Sequence, residues 1–265
     1  MSTQARNNVQ VIGNGERAII FAHGYGCDQN MWRFITPAFQ DEYRIILFDH
    51  VGSGRSDRAA YDRTKYSTLQ GYADDILEIC DEFGVEGGVC VGHSVSATVA
   101  LLAAATEPDR FEELVLIGAS PRYVNDGDYI GGFSEDDIGQ LLELQESNFL
   151  GWSSFLAEKV IGDPERPELI SELDDSFCRM DPEIARQFAA VTFLSDNRAD
   201  LSRVTGRCLV LQSRDDIIAP LPVGEYVAEN LPNAELVVLD TVGHSPHMSA
   251  PDQTIAAIKA FLARG

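Results

Sequence analysis

The chain has 265 residues, 45% of them hydrophobic, enough for one large domain or two small ones and too apolar for a disordered chain. Its formal net charge of −22, from 42 acidic and 20 basic residues, argues against nucleic acid or an anionic membrane as partner, because phosphates need clusters of Lys and Arg. Five scattered cysteines (Cys27, Cys80, Cys90, Cys178, Cys208) include no C-x-x-C pair, the N-terminus is polar, and no apolar run nears the ~18 residues of a membrane span, so reduced thiols in a cytoplasmic location are expected.

Val9 to Ile12 reads as a short strand before a Gly-Asn-Gly turn, and Ala18 to Ala22 as a buried strand. His23-Gly24-Tyr25-Gly26 follows directly, a glycine-rich loop whose backbone amides can approach a ligand closely. His23 is read as a structural group that holds this loop. Asp28 to Phe39 has a helix-like period in Met31, Trp32, Ile35 and Phe39. Tyr43 to Phe48 is a further buried strand, ending in Asp49, for which a structural hydrogen-bonding role is expected. Gly52-Ser53-Gly54 lacks the spacing of a phosphate-binding loop. Ser67 to Phe83 is an amphipathic helix.

Gly88 to Val91 is the next strand and Ala97 to Ala105 the next helix, with Gly92-His93-Ser94-Val95-Ser96 between them. A serine on so sharp a strand-to-helix turn is the nucleophile elbow, which exposes the hydroxyl above a sheet. Where such an elbow occurs, the glycine-rich loop supplies a second oxyanion donor opposite the amide after the serine. Here the donors are the N–H groups of Tyr25 and Val95. The usual pattern ends in Gly, and this chain has Ser96.

Leu114 to Ile117 is a strand, after which the strand–helix alternation stops. Residues 121–201 read as a helical insertion. Ser134 caps one helix, Phe149, Trp152, Phe155, Leu156 and Val160 stripe a second, Pro167 opens a third and Asp181-Pro182 a fourth. Alternation resumes with strands Cys208 to Gln212 and Glu235 to Leu239, helix Pro222 to Asn230 and a closing helix, Asp252 to Arg264. The pattern predicts an α/β core, 1–120 with 202–265, around a mostly parallel sheet. The insertion, 121–201, forms a cap over the strand ends, where such sheets bind ligands.

A serine nucleophile needs an adjacent base, and the base an orienting carboxylate. In this fold they follow in the order Ser, acid, His. His244, behind the last strand, is the preferred base and His247 its competitor, with His93 and His50 more weakly placed. The acid is Asp215 or Asp216, which the residues alone leave open.

Six stretches carry a resemblance: 23–29 (HGYGCDQ), 92–97 (GHSVSA), 118–123 (GASPRY), 131–133 (GGF), 215–220 (DDIIAP) and 243–249 (GHSPHMS). Through them the chain resembles α/β-hydrolase-fold proteins of the bacterial stress-regulator RsbQ type and their relatives, the plant karrikin and strigolactone receptors. Residues 47–54 and 184–188 bring it nearest to RsbQ, while Ser96 matches the plant receptors better. Tyr25 departs from the Phe usual there and is expected to add a hydroxyl to the pocket wall. The resemblance implies a four-helix cap inserted after the sixth strand. It makes Ser94 the nucleophile, Asp216 the acid and His244 the base, with the amides of Tyr25 and Val95 as oxyanion donors. His93, Tyr123, Phe133, Trp152, Phe155 and Phe193 are expected around an apolar pocket. No metal or cofactor is implied. The expected activity is hydrolysis of a small apolar ester or lactone. The rival is a ligand sensor whose cap recruits a protein, of the PAS-domain phosphatase type that serves RsbQ-like proteins.

Overall fold

A computed structural model describes residues 1–264. Seven strands form one sheet: β1 (Gln10–Ile12), β2 (Arg17–Ala22), β3 (Tyr43–Leu47), β4 (Gly88–His93), β5 (Phe111–Ile117), β6 (Arg207–Asp215) and β7 (Ala234–Val242). Their spatial order is β1-β3-β2-β4-β5-β6-β7. Only β1 runs antiparallel, against β3. The parallel centre is why β2, β4 and β5 read as continuous apolar runs, since helices cover both faces. The chain order reverses between β2 and β4, which pair directly with Ala22 opposite Gly92. Such a switch point opens a crevice beyond the strand ends, and here it sets the glycine-rich loop beside the elbow.

The helices are α1 (Thr3–Arg6), α2 (Leu69–Glu82), α3 (Val95–Thr106), α4 (Glu135–Ser147), α5 (Phe149–Ile161), α6 (Pro167–Cys178), α7 (Pro182–Phe193), α8 (Leu221–Asn230), α9 (Pro246–Ser249) and α10 (Pro251–Leu262). Every residue of α3 from Val95 to Ala105 is buried, which fits its small apolar sequence without a polar face. Helices α4 to α7 all lie between β5 and β6. Local sequence sets their starts. Ser134 and Asp137 form a reciprocal capping box on α4, Asn148 caps α5, Pro167 opens α6, and Asp181 accepts from the Glu183 and Ile184 amides of α7.

Two expectations are corrected. The four-helix insertion follows the fifth strand, not the sixth, because the residues before β2 supply one short strand and one helical turn. The segment from Asp28 to Phe39 is not one helix but two 3₁₀ turns, Gln29–Phe34 and Thr36–Ala38. Pro37 lacks the N–H that would continue an α-helix, and Asp28 caps the first turn through the Asn30 amide. Among the described residues no helix is long and apolar enough to cross a membrane, and the five cysteines are unpaired.

Candidate active site

Ser94 sits between β4 and α3 with φ 58° and ψ −126°, a conformation that L-residues adopt at a cost of about 1–3 kcal/mol. The surrounding structure imposes it. The Ser94 amide donates to Ile117 O of the neighbouring strand (2.8 Å), and the Ala97 amide donates back to Ser94 O (2.9 Å). Gly92 must lack a side chain, because a Cβ there would collide with the Ser96 carbonyl as α3 turns back over the strand. The hydroxyl of Ser96, where Gly is usual, is accommodated in a fully buried position. It donates to His23 O (2.5 Å) and accepts from His50 Nε2 (2.7 Å). That bond protonates His50 at Nε2, so His50 presents no lone pair to Ser96 and cannot take its proton. His50 Nδ1 has no partner among the described residues.

Asp216 and His244 leave the adjacent strands β6 and β7. The Gly243 amide donates to Asp215 O (2.8 Å), fastening the two loops together, and the His244 amide donates to Val160 O of α5 (2.7 Å). The Ser94 hydroxyl donates to His244 Nε2 (2.7 Å), and His244 Nδ1–H donates to Asp216 Oδ2 (2.6 Å). The tautomer follows from chemistry, since an ionised carboxylate only accepts. Asp216 Oδ1 is held by the Ile218 and Ala219 amides (2.8 and 3.0 Å). All three residues are buried: Ser94 is 8% exposed, Asp216 5% and His244 2%. Asp215, by contrast, points to solvent.

Among the described residues, the N–H groups of Tyr25 and Val95 donate to no other group of the protein. Val95 opens α3, so its amide also lies at the positive end of the helix. Tyr25 and Ser94 line one small cavity of about 30 Å³. Leu156 and Val160 of α5, Leu173 and Phe177 of α6, Phe193 of α7 and Ile218 form its apolar walls. Cys27, His93, Tyr123, Thr192 and His244 complete it. No lining residue other than an imidazole can carry a positive charge. Burial pushes the Tyr123 phenol up, with its interaction with Ser94 acting the other way, so it stays a neutral hydrogen-bonding group.

His93, Tyr123 and Phe193 thus line the cavity, whereas three other expected wall residues do not. Trp152 is fully buried one layer behind it, packed against Tyr25, Phe149 and Phe177 at ring separations of 5.7–5.8 Å. Phe155 is 46% exposed and lies under the Lys159 ammonium. The buried face of α5 runs through Trp152, Leu156 and Val160 at spacings of four, and Phe155 falls outside it. Phe133 is held beside Tyr123 by a backbone bond from its amide to Tyr123 O (3.1 Å), outside the cavity. The Tyr25 hydroxyl also departs from expectation. It donates to Ala185 O of α7 (2.9 Å) and accepts from Gln145 Nε2 of α4 (2.8 Å), and neither partner lines the cavity. The sequence did not mark Cys27, Leu156, Val160, Leu173, Phe177, Thr192 and Ile218 as cavity residues. The helical stripes of α5 and α6 signal Leu156 with Val160 and Leu173 with Phe177, each at a spacing of four.

His23 and Asp49 serve the frame. His23 Nδ1 lies 2.8 Å from Gly24 O, and its Nε2 accepts from the His50 amide (3.0 Å). Asp49 accepts from the Gln29 and Arg55 amides and from Asn8 Nδ2. His247, the competing base, is fully buried between Trp32 and His93, with no partner for either ring nitrogen among the described residues. Burial, then repulsion from His244 and Arg33, pushes His247 down to about 3. His23, His50 and His93 are lowered as well, chiefly by burial.

These four imidazoles stay neutral in the fold while the unfolded chain protonates its histidines below about pH 6.5. The unfolded state therefore binds more protons, and stability is lost as pH falls from 6.5 toward the depressed folded values. Each such group adds a slope of up to about 1.4 kcal/mol per pH unit. The melting temperature should drop between pH 6.5 and 5, where most carboxylates are still charged. His247→Leu should flatten that slope by the equivalent of one proton, and an identical slope in a folded variant would refute the assignment.

The family model for the α/β-hydrolase fold matches residues 17–251. The chain belongs to the α/β-hydrolase family. It is 40% identical to the Karrikin insensitive 2 receptor CA of Petunia hybrida over 253 residues, 95% of this chain and 94% of the receptor. It is 37% identical to the strigolactone esterase D14 of Arabidopsis thaliana over 258 residues, 97% and 96% of the two chains. The solved structure of a hydrolase from Oleispira antarctica superposes with a TM-score of 0.97 at 39% identity, covering 99% of this chain and 97% of that one. The chain is thus related to a plant receptor of the Karrikin insensitive 2 type and to a plant strigolactone esterase.

Proposed function

We propose that this α/β-hydrolase family member is a serine hydrolase of small, neutral, apolar esters or lactones, with Ser94 as nucleophile, His244 as base and Asp216 as its orienting acid. The observation that carries this reading is the unbroken pair of hydrogen bonds from Ser94 through His244 to Asp216. Ser94 Oγ attacks the acyl carbon while His244 Nε2 takes its proton. The N–H groups of Tyr25 and Val95 receive the oxyanion. Collapse of the tetrahedral intermediate expels the alcohol oxygen, which takes the proton back from His244. Water, deprotonated by His244 Nε2, then attacks the acyl carbon, and the acid leaves as Ser94 Oγ takes that proton back from His244. For a lactone, both products are one hydroxy acid.

The cavity's chemistry argues for the substrate class. Apolar walls favour a hydrocarbon acyl group, and the lack of Lys or Arg in the lining disfavours a carboxylate. The cavity is narrow, with walls from α5, α6 and α7 on one side of Ser94, which favours a short acyl group. The test is a series of p-nitrophenyl esters. Extra methylenes forced into a packed site cost about 1–3 kcal/mol, so kcat/KM for the octanoate should fall at least about tenfold below that for the acetate. A flat or rising profile would overturn the small-acyl reading.

A second reading rests on the similarity to a protein named as a receptor. The chain acts in the cytoplasm as an RsbQ-type signalling hydrolase, its cap recruiting a PAS-domain phosphatase once a ligand has entered. Hydrolysis is secondary in that case. Capture of such a phosphatase by the wild type only after ester treatment supports it, and capture independent of the ester counts against it.

A further inference from the structure

Tyr25 meets all four cap helices at once. Its hydroxyl accepts from Gln145 of α4 (2.8 Å) and donates to the Ala185 carbonyl of α7 (2.9 Å). Its ring packs edge-on against Trp152 of α5 (5.8 Å between centroids) and against Phe177 of α6 (6.0 Å) and Phe188 of α7 (5.3 Å). The next residue repeats the connection, since Ser176 Oγ of α6 donates to Gly26 O (2.7 Å). Tyr25, Gln145 and Ala185 are all buried, so water cannot readily replace these bonds. The other end of Tyr25 is a backbone N–H without a partner among the described residues, and Tyr25 lines the same cavity as Ser94.

We infer that the Tyr25 hydroxyl is a latch between the cap and the oxyanion-hole loop, so that seating the cap and aiming the Tyr25 N–H are one event. This rests on the reading of Ser94 and Tyr25 given above. Tyr25 is here a positioning residue through its side chain, distinct from the donor role of its amide. A phenol has two side-chain torsions, and both ends of this one are held. A shift of α4 or α7 therefore pulls on the ring and rotates the peptide that carries the N–H. A cap lifted to admit substrate has an incomplete oxyanion hole. Chemistry waits until Gln145 and Ala185 return to the phenol.

The variants are Tyr25→Phe, which keeps the ring and the amide, and Gln145→Met, which leaves the loop untouched. With p-nitrophenyl acetate, well below the melting temperature, each should lower kcat by about tenfold, as a misaimed but retained donor costs less than a missing one. KM should stay within about twofold. The double variant should be no slower than the worse single one, because both remove the same bond. Hydrogen–deuterium exchange should show the amides of residues 24–27 speeding up together with those of α4 and α7. A merely structural role would lower the melting temperature and leave kcat alone. Unchanged kcat in the folded variants, a rise confined to KM, or additive losses would each overturn the latch. Should Tyr25→Phe fail to fold, Gln145→Met carries the same test. A wild-type protein that hydrolyses no ester would defeat the reading of the site, and the exchange measurement would still decide the latch. An active wild type with unaffected variants would defeat the latch alone.

Discussion

Ser94→Ala is expected to lower kcat for p-nitrophenyl acetate by roughly 10⁶-fold, the scale on which removal of a triad serine acts. The fold should survive the change. Ser94 is at an imposed positive φ, but alanine has the same Cβ as serine and adds no new backbone demand there. The lost group is a hydroxyl that donates to His244 Nε2, and His244 lines the cavity, where a water can replace it. A fluorophosphonate should label the wild type at Ser94 and leave the variant unlabelled. The residual rate should still exceed that of water, since the Tyr25 and Val95 amides and the apolar walls remain. A folded Ser94→Ala protein with appreciable esterase activity would remove the nucleophile from the proposed mechanism.

The elements that position the site are legible in the sequence where the signal is local. The elbow is one short stretch, a run of apolar residues, a small-residue turn and a helix of Ala, Val and Leu, and no distant contact is needed to see it. The alternation of strands and helices likewise carries the parallel sheet. The choice between Asp215 and Asp216 is not local. It depends on β6 running on to Asp215, whose side chain faces solvent, before the chain turns inward at Asp216 under the Ile218 and Ala219 amides. No propensity encodes that turn, and the distinction comes from the resemblance.

The cap shows a different limit. A helical period tells which face is buried, but not which turn of that face lies over Ser94. Trp152 and Leu156 share a face of α5, yet one lies behind the cavity wall and the other forms it. Aromatic residues draw attention as candidate pocket walls, whereas several of the walls are aliphatic: Leu156, Val160, Leu173 and Ile218. Phe155 and Lys159 pair on the solvent side, an arrangement that a three-residue spacing from Trp152 obscures. The Tyr25 hydroxyl goes to Gln145, 120 residues away in sequence, a partner that no sequence pattern indicates.

Asp216→Asn should cost about 10⁴-fold in kcat, and the hydrogen bonds around it say why. Asp216 Oδ1 accepts from the Ile218 and Ala219 amides, two donors that an amide NH₂ cannot satisfy. An asparagine must therefore keep its oxygen on those amides and turn its NH₂ toward His244 Nδ1, which lies 2.6 Å from Asp216 Oδ2. Facing a donor, Nδ1 becomes the acceptor and the imidazole proton moves to Nε2. That nitrogen faces Ser94 Oγ at 2.7 Å, and once protonated it cannot take the serine's proton. The geometry survives with the wrong tautomer. Asp215→Asn is the control. Its side chain is exposed, and the bond that fastens the His244 loop comes from the Gly243 amide to its backbone carbonyl, which the substitution leaves intact. Its kcat should stay within about twofold of wild type, as expected for an exposed change. Raising the pH should recover part of the Asp216→Asn activity if the tautomer is the cause, since a stronger external base can remove the serine proton. The opposite pattern, a large loss in Asp215→Asn with near-normal turnover in Asp216→Asn, would move the acid one residue upstream.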